Sequence, residues 1–208
     1  MISNHSKPFI SNKILKRFLL YRLCILKLQR LGFKRVFSYT LGAEADVTAE
    51  QVRKDFSFAG IRGNKRGGYE ISHLLDSIND LFKHNGDRLV ILVGMGNIGQ
   101  ALVNYLGFKE NNIRIIAGFD LDPSKYNRKS IIPVYPTDKI KEIVQQYEIK
   151  TAIIAVPEES GQKVCDKLVD AGVRAILNFS PLVLRVPDQV KVNNVNLRNE
   201  LESLFYYT

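Results

Sequence analysis

The stretch LVILVGMGNIGQ, residues 89–100, limits what this chain can fold into more than any other. RLVILVG (88–94) is a continuous apolar run of strand length, and NIGQALVNYLGF reads as the helix after it. Between them, Gly94-Met95-Gly96-Asn97-Ile98-Gly99 fits the pattern G-x-G-x-x-G. The first glycine permits a tight turn. The second lets the backbone approach a pyrophosphate, and the third lets the helix pack on the strand. Amides at the helix start would point at the phosphates. The motif thus stands in its proper context, strand before and helix after, and predicts a dinucleotide-binding unit.

A second strand, IRIIAGF, ends in Asp120, 21 residues beyond Gly99. A carboxylate there can bond both adenine-ribose hydroxyls and would repel a 2′-phosphate, which favours NAD(H) over NADP(H). The plainer reading is that Asp120 begins the Asp-Pro turn at 122–123. The alternation of strand and helix continues. Strand 132–135 leads to helix 138–148, strand 151–157 to helix 159–171, and strand 175–179 follows. That order predicts a small, mostly parallel, Rossmann-like sheet. The chain ends in VKVNNVNLRNELESLFYY, where Leu197, Leu201, Leu204 and Phe205 form an apolar stripe on a terminal helix. Such a helix must dock, on its own domain or on a partner chain.

The first 86 residues differ in charge. Of a net +9, they hold 15 basic and 7 acidic side chains, against 15 and 14 in the remainder. Such asymmetry points to a polyanion-binding part joined to a neutral part. Apolar spacing predicts a helix over 13–31, with Gly32 as its stop. A short helix, 38–45, and a second from about 49 follow. Thr48 and Gln51 make a capping-box pattern at the start of that second helix. This is the helix-turn-helix plan. On the second helix Val52 and Phe56 would face the core. Gln51, Arg53, Lys54 and Ser57 would lie on the other sides, and their types bond base edges or phosphates. AGIRGNKRGGYE then reads as a glycine-rich basic wing carrying Arg62, Lys65 and Arg66. A last helix spans 71–85, and HNGD (84–87) is the linker.

Several classes are disfavoured. No apolar run reaches the roughly 18–20 residues of a membrane span, and the polar N-terminus has no signal-peptide core. Cys24 and Cys165 are too few and too far apart for a redox pair or a zinc site, so burial and a reducing cytoplasm are expected, with no metal. A dehydrogenase needs a proton donor or acceptor beside the nicotinamide. Yet His5, His73 and His84 all precede the glycine loop, and no second domain follows to build a substrate site. The loop is expected to bind a nucleotide and do no chemistry on it.

From about residue 13 the whole chain resembles the Rex family of redox-sensing transcriptional repressors. The carrying motifs are VTAEQVRKDFSFAG, VGMGNIGQAL, NYLGF, FDLDP, AVP and AGVRAILNFSPLVLRVP. The resemblance implies a homodimer whose C-terminal helices are exchanged between subunits, bound to a palindromic double-stranded operator. It implies repression of genes for NADH-consuming fermentation or respiration, with DNA released when NADH replaces NAD⁺. Carried over by position, Gly94, Gly96 and Gly99 cradle the pyrophosphate and Asp120 holds the adenine ribose. Val156, Pro157, Asn178, Phe179, Ser180 and Pro181 lie around the nicotinamide. Tyr105 sits near the dimer-crossing helix. Apart from the resemblance, the apolar Leu197 on the terminal helix is expected to plug the pocket beside the nicotinamide. Gln51, Arg53, Lys54 and Ser57 form the recognition face. Two departures stand out. The wing Gly63-Asn64-Lys65-Arg66-Gly67-Gly68-Tyr69 has its basic pair shifted by one position. An arginine–aspartate pair that many members place between the first and last helices is here Leu23 and Asn196.

The expected fold is α/β in three parts. These are a winged helix-turn-helix domain (1–86), a small Rossmann-like NAD(H)-binding domain (87–192) and a swapped C-terminal helix (193–208). The expected function is an NADH-responsive, DNA-binding repressor. The rivals are an NAD-dependent oxidoreductase with an accessory DNA-binding domain, and a DNA-binding protein whose nucleotide site is vestigial.

Overall fold

A computed structural model of the chain describes residues 11–64, 67–82, 88–110 and 112–208. The chain divides into two compact units, Met1–His84 and Asn85–Thr208.

The first unit runs α1 (Asn12–Arg30), β1 (Arg35–Val36), α2 (Ser38–Glu44), α3 (Ala49–Phe58), β2 (Tyr69–Glu70) and α4 (Ile71–Leu81). Helix α1 ends as its glycine predicts. Gly32 is left-handed at φ +84°, and the Phe33 and Gly32 amides donate back to Leu28 O and Gln29 O. The turn between α2 and α3 is tight. Val47 N donates to Gly42 O at 2.9 Å, and a Cβ on Gly42 would lie 2.5 Å from Val47 O. Only glycine fits there. Thr48 caps α3, its Oγ1 accepting from Gln51 N at 3.1 Å. The Gln51 side chain does not close the capping box; it turns to Asp55.

Between α3 and β2 the chain forms a narrow hairpin, in which Asn64 and Gly68 exchange two backbone hydrogen bonds at 2.9 Å. Lys65 and Arg66 lie outside the described residues, as does the 84–87 linker. β1 and β2 pair antiparallel beneath it. The core is aromatic at its centre. Phe18, Tyr21 and Phe56 have ring centroids within 6 Å of one another, and Tyr69 stands edge-on to Phe56 at 4.9 Å.

The second unit runs β3 (Arg88–Val93), α5 (Asn97–Val103), α6 (Leu106–Glu110), β4 (Ile113–Asp120), β5 (Val134–Pro136), α7 (Ile140–Gln146), β6 (Thr151–Ile154), α8 (Glu158–Ala171), β7 (Ala175–Asn178), β8 (Lys191–Asn194) and α9 (Leu197–Phe205). The sheet is parallel in every pairing, in the order β5-β4-β3-β6-β7-β8. This is the doubly wound order, and it reverses between β3 and β6, where such folds open a ligand crevice. Buried Ile91, Val93, Phe119 and Ile154 pack against α7 and α8 on one face. Val90, Leu92 and Ile153 pack on the other. Cys24 and Cys165 are both free and buried, as expected. Burial pushes the Cys165 thiol up to about 11.

Three expectations need correction. The helix after the glycine loop is not continuous to Phe108. It stops at Asn104, whose Nδ2 donates to Gln100 O at 2.9 Å and competes with the helical pattern. The helix expected over 138–148 is a 3₁₀ turn at Thr137–Lys139 followed by α7, which ends at Gln146. β8 was not expected at all. It is a half-exposed edge strand with two asparagines, so it lacks both the alternation and the apolar run that mark a strand.

Candidate functional site

At the crevice between β3 and β6 lies a cleft of about 330 Å³. Its walls come from the ends of neighbouring strands. The glycine loop supplies Gly94 and Gly96, the turn after β4 supplies Asp120, Leu121, Asp122 and Lys125, and the segment after β6 supplies Val156, Pro157 and Ser160. Val93, Thr137, Ala155 and Val164 complete it. Gly94, Gly96, Asp120, Val156 and Pro157, singled out far apart in sequence, thus share one surface.

Each glycine of the motif has its own reason. Gly94 is left-handed at φ +100°, and a Cβ there would lie 2.3 Å from Ala155 O. A Cβ on Gly99 would lie 2.0 Å from Gly94 O, so the helix packs directly on the loop. Gly96 is different, because a Cβ there would meet no protein atom within 4 Å. The protein's own packing does not require that glycine. A cleft-lining position kept open suits the close approach of a ligand's phosphates. Gly96 also leaves α5 without a side-chain cap. Asn97 and Ile98 are exposed on its first turn. Met95 is buried, its thioether packed on Gly118.

Asp120 ties the loop to the second strand. Its Oδ2 accepts from Met95 N at 2.7 Å and faces Lys125 Nζ at 3.2 Å, while Oδ1 accepts from Asp122 N at 3.0 Å. Burial raises its pKa, but these hydrogen bonds together outweigh burial and hold it below the usual carboxylate range. A charged acceptor therefore stands at the cleft beside the glycine loop.

On the other side of the crevice the groups named from the sequence do a different job. Asn178 is fully buried, and its Nδ2 donates to Leu182 O and Asn194 Oδ1, both at 2.8 Å, and to Ser180 O at 3.3 Å. Its Oδ1 accepts from Ser180 N at 3.0 Å. It holds the Phe179–Pro181 loop in shape and ties that loop to β8. Val195 N donates to Asn178 O at 2.8 Å, continuing the tie toward α9. The Ser180 hydroxyl is buried with no partner among the described residues. Tyr105 is exposed and stands edge-on to Phe108 at 5.0 Å. Leu197 is exposed on α9, as are Leu201, Leu204 and Phe205. None of the four docks on its own unit. Asn196 caps α9, accepting from Asn199 N at 3.1 Å. Leu23 is exposed on α1, and its neighbour Arg22 bonds Asn79 at 2.8 Å.

The first unit presents a basic helix face. Arg53, Lys54 and Ser57 of α3 are exposed, as is Arg62. Arg53 bonds Ser38 Oγ at 3.1 Å and Lys54 pairs with Glu50 at 2.8 Å, both in solvent. Gln51 does not share this face. Its Nε2 donates to Asp55 Oδ1 at 2.9 Å, because a buried carboxylate one turn away needs donors. Sequence reasoning gave no role to Asp55, Arg17, Lys125 or Thr137. Asp55 stands inside a motif already singled out, and its period-four spacing from Gln51 was the available signal.

The comparisons agree with both halves. Residues 9–57 match a family described as putative DNA-binding protein N-terminus, and residues 85–182 match the CoA binding domain family. The chain is 37% identical over 193 residues to the redox-sensing transcriptional repressor Rex of Listeria welshimeri, covering 92% of this chain and 90% of that one. It is 38% identical over 205 residues to Rex of an Exiguobacterium species, covering 98% and 94%. Among solved structures, RSP in complex with β-NAD⁺ and operator DNA superposes with a TM-score of 0.88 at 29% identity, over 97% of this chain and 93% of that one. RSP in complex with β-NADH gives 0.83 at 29% identity, over 97% and 95%. On full-length similarity at this level, with a winged helix-turn-helix joined to a doubly wound nucleotide fold, the chain belongs to the Rex family of redox-sensing transcriptional repressors.

Proposed function

We propose that this protein is a redox-sensing repressor that binds a palindromic operator as a homodimer and leaves it when NADH replaces NAD⁺. One observation carries the reading. The Asp120 carboxylate stands beside an open glycine position in the same cleft, in a chain whose other unit presents a basic recognition helix.

In this reading Gly94, Gly96 and Gly99 shape the pyrophosphate cradle, and the exposed first turn of α5, Asn97 and Ile98, borders it. Met95 aims Asp120 at the adenine ribose through its amide. Val156, Pro157 and the Phe179–Pro181 loop shaped by Asn178 flank the nicotinamide. Tyr105 and Leu197 belong to the dimer side of the switch, where α9 exchanges between subunits. Arg53, Lys54, Ser57 and Arg62, with Lys65 and Arg66 of the wing, meet DNA phosphates and base edges. Gln51 supports α3 from within.

The nucleotide here is a signal and is not turned over. His73, the one histidine among the described residues, lies on α4 in the other unit. Release of DNA requires that NADH favour the released conformation over the bound one. Among the described residues no helix is long and apolar enough to cross a membrane, and no group of three His, Cys, Asp or Glu side chains is placed to hold a metal. The site of action is the cytoplasm. The test is binding to a labelled palindromic probe with NAD⁺ or NADH titrated in. Binding that NADH abolishes and NAD⁺ preserves is expected. Turnover of NADH with a small carbonyl substrate, or an unresponsive complex, would overturn the reading.

A further inference from the structure

β5 lies next to β4 on the side away from β3, and its register pairs Pro136 with Asp120. Thr137 is the next residue, opening the turn at the strand end. The ends of β3, β4 and β5 therefore present Gly94, Asp120 and Thr137 in a row, and all three line the cleft. A dinucleotide with its pyrophosphate on the glycine loop and its ribose at Asp120 places its base at the third position. Leu121 and Val164 are apolar residues of the same cleft, and such groups suit the flat faces of a purine. The Thr137 hydroxyl is the polar group placed to meet its edge.

That hydroxyl is constrained. Thr137 is buried, 4% exposed, and its Oγ1 accepts from Lys167 Nζ at 3.3 Å. An ammonium only donates, so the hydroxyl's own proton must point elsewhere. The bond from Lys167 is the one hydrogen bond this hydroxyl makes among the described residues, and it leaves the proton for another partner. A buried donor without an acceptor is costly, and one lining a cleft marks where a ligand's acceptor belongs.

We propose that Thr137 reads the base of the dinucleotide: its hydroxyl, oriented by Lys167, donates to N1 of adenine. Adenine N1 is a bare acceptor, whereas hypoxanthine N1 carries a proton and cannot accept. The inference rests on the reading of this cleft as a dinucleotide site and adds base selectivity to it.

The experiment measures dissociation constants for NADH and for reduced nicotinamide hypoxanthine dinucleotide by cofactor fluorescence. The full-length wild type, Thr137→Val, Thr137→Ser and Lys167→Met are compared. Wild type is expected to prefer NADH by about tenfold, in the range of one hydrogen bond. Thr137→Val should lose about tenfold in NADH affinity, keep its affinity for the hypoxanthine analogue, and so stop discriminating. Thr137→Ser should retain the preference. Lys167→Met should reduce it, because the hydroxyl is then free to rotate. Equal affinity of wild type for the two cofactors overturns the proposal. So does a Thr137→Val variant that binds NADH normally, or one that weakens both cofactors alike. Those outcomes leave the dinucleotide site standing, whereas a wild type that binds neither cofactor removes the site and this inference together.

Discussion

Arg17 on α1 grips Asp55 on α3 through two charge-assisted hydrogen bonds, Nε to Oδ2 at 2.6 Å and Nη2 to Oδ1 at 2.7 Å. Tyr21 OH adds a third at 2.9 Å and Gln51 a fourth. A carboxylate only 2% exposed is thereby fully satisfied, and the recognition helix is pinned to the first helix of the unit.

Removing one side of this clamp strands the other. Asp55→Ala leaves the Arg17 guanidinium, the Tyr21 hydroxyl and the Gln51 amide without their shared acceptor. Arg17 is 20% exposed and recovers some solvation, so the low end of the buried-pair range applies, about 3 kcal/mol of stability. Operator binding should fall with it. NADH affinity should stay within twofold, because the cleft lies in the other unit. Calorimetric unfolding and NADH titration of the same preparation check both statements.

The clamp also predicts an acid dependence. Burial raises the pKa of Asp55, but its hydrogen bonds from Arg17, Tyr21 and Gln51 together bring it below the ordinary value. Its contribution is then complete above the unfolded pKa of about 3.9 and is lost as pH falls through the lower folded value. Asp120, Asp122 and Glu50 are lowered too, so total stability mixes several groups. The informative quantity is the difference between wild type and Asp55→Asn. That difference should be flat from pH 7 to about pH 5 and shrink below about pH 4. A gap that stays constant to pH 2.5 would show that folding does not lower the pKa of Asp55.

For DNA, Arg53→Ala/Lys54→Ala should abolish operator binding and leave NADH affinity unchanged. Both cations lie on the exposed face of α3. The Lys54–Glu50 pair is about two-thirds exposed on each side, so exchanging it for a phosphate costs little. Each lost phosphate contact should also flatten the log–log salt dependence by about one unit. Titrations on one operator at several salt concentrations measure this. A double variant with full affinity and an unchanged slope would remove α3 from the interface.

What the sequence made legible depends on how local each constraint is. The glycine spacing acts within a few residues of itself, and Asp120 closes an apolar run, so both could be read without a fold. Buried strands such as β3 and β4 declare themselves by apolar runs. β8 does not, because an edge strand with Asn193 and Asn194 half in solvent owes its place to pairing with β7. The break at Asn104 depends on one side chain competing for a helical carbonyl. Gln51 was placed on the outer face by its period, and the demand of buried Asp55 turned it inward. Thr137 and Lys167 are 30 residues apart and meet only when α8 packs beside the end of β5.

Asp120 should decide between the two nicotinamide cofactors. Asp120→Ala removes a charged acceptor from the ribose and should weaken NADH binding by about 1.5–3 kcal/mol. It also orphans the Met95 amide, so Asp120→Asn is the cleaner probe, since its carbonyl oxygen can still accept from Met95. The asparagine variant frees Lys125 from a carboxylate 3.2 Å away and should gain affinity for NADPH relative to wild type. Parallel NADH and NADPH titrations test this. A wild type that binds both equally would show that Asp120 does not face the 2′ position.

The terminal helix carries the last prediction. Leu197, Leu201, Leu204 and Phe205 on α9 are between 57% and 66% exposed, although they form one apolar stripe. Burying such a side chain is worth about 1.5–3 kcal/mol, so four of them left in water make α9 the face we propose the partner subunit covers. Ending the chain before Val195 should convert the dimer to a monomer in sedimentation equilibrium, and operator binding should fail with it. Leu197→Ala removes one contact of four, so the dimer should persist and DNA should still bind. NADH should then no longer release DNA, because Leu197 is the stripe residue nearest the Val195–Asn178 tie to the pocket loop. The exposed Leu23 and the helix cap Asn196 stand where the resemblance to relatives leads one to expect an ion pair between the first and last helices. Asn196→Asp keeps a capping side chain on α9, so it is tolerated. Leu23→Arg/Asn196→Asp should therefore lower the NADH midpoint for release by at least about fivefold, the small end of ordinary coupling energies. If the double variant keeps the wild-type midpoint while Leu197→Ala still releases DNA normally, α9 does not transmit the signal.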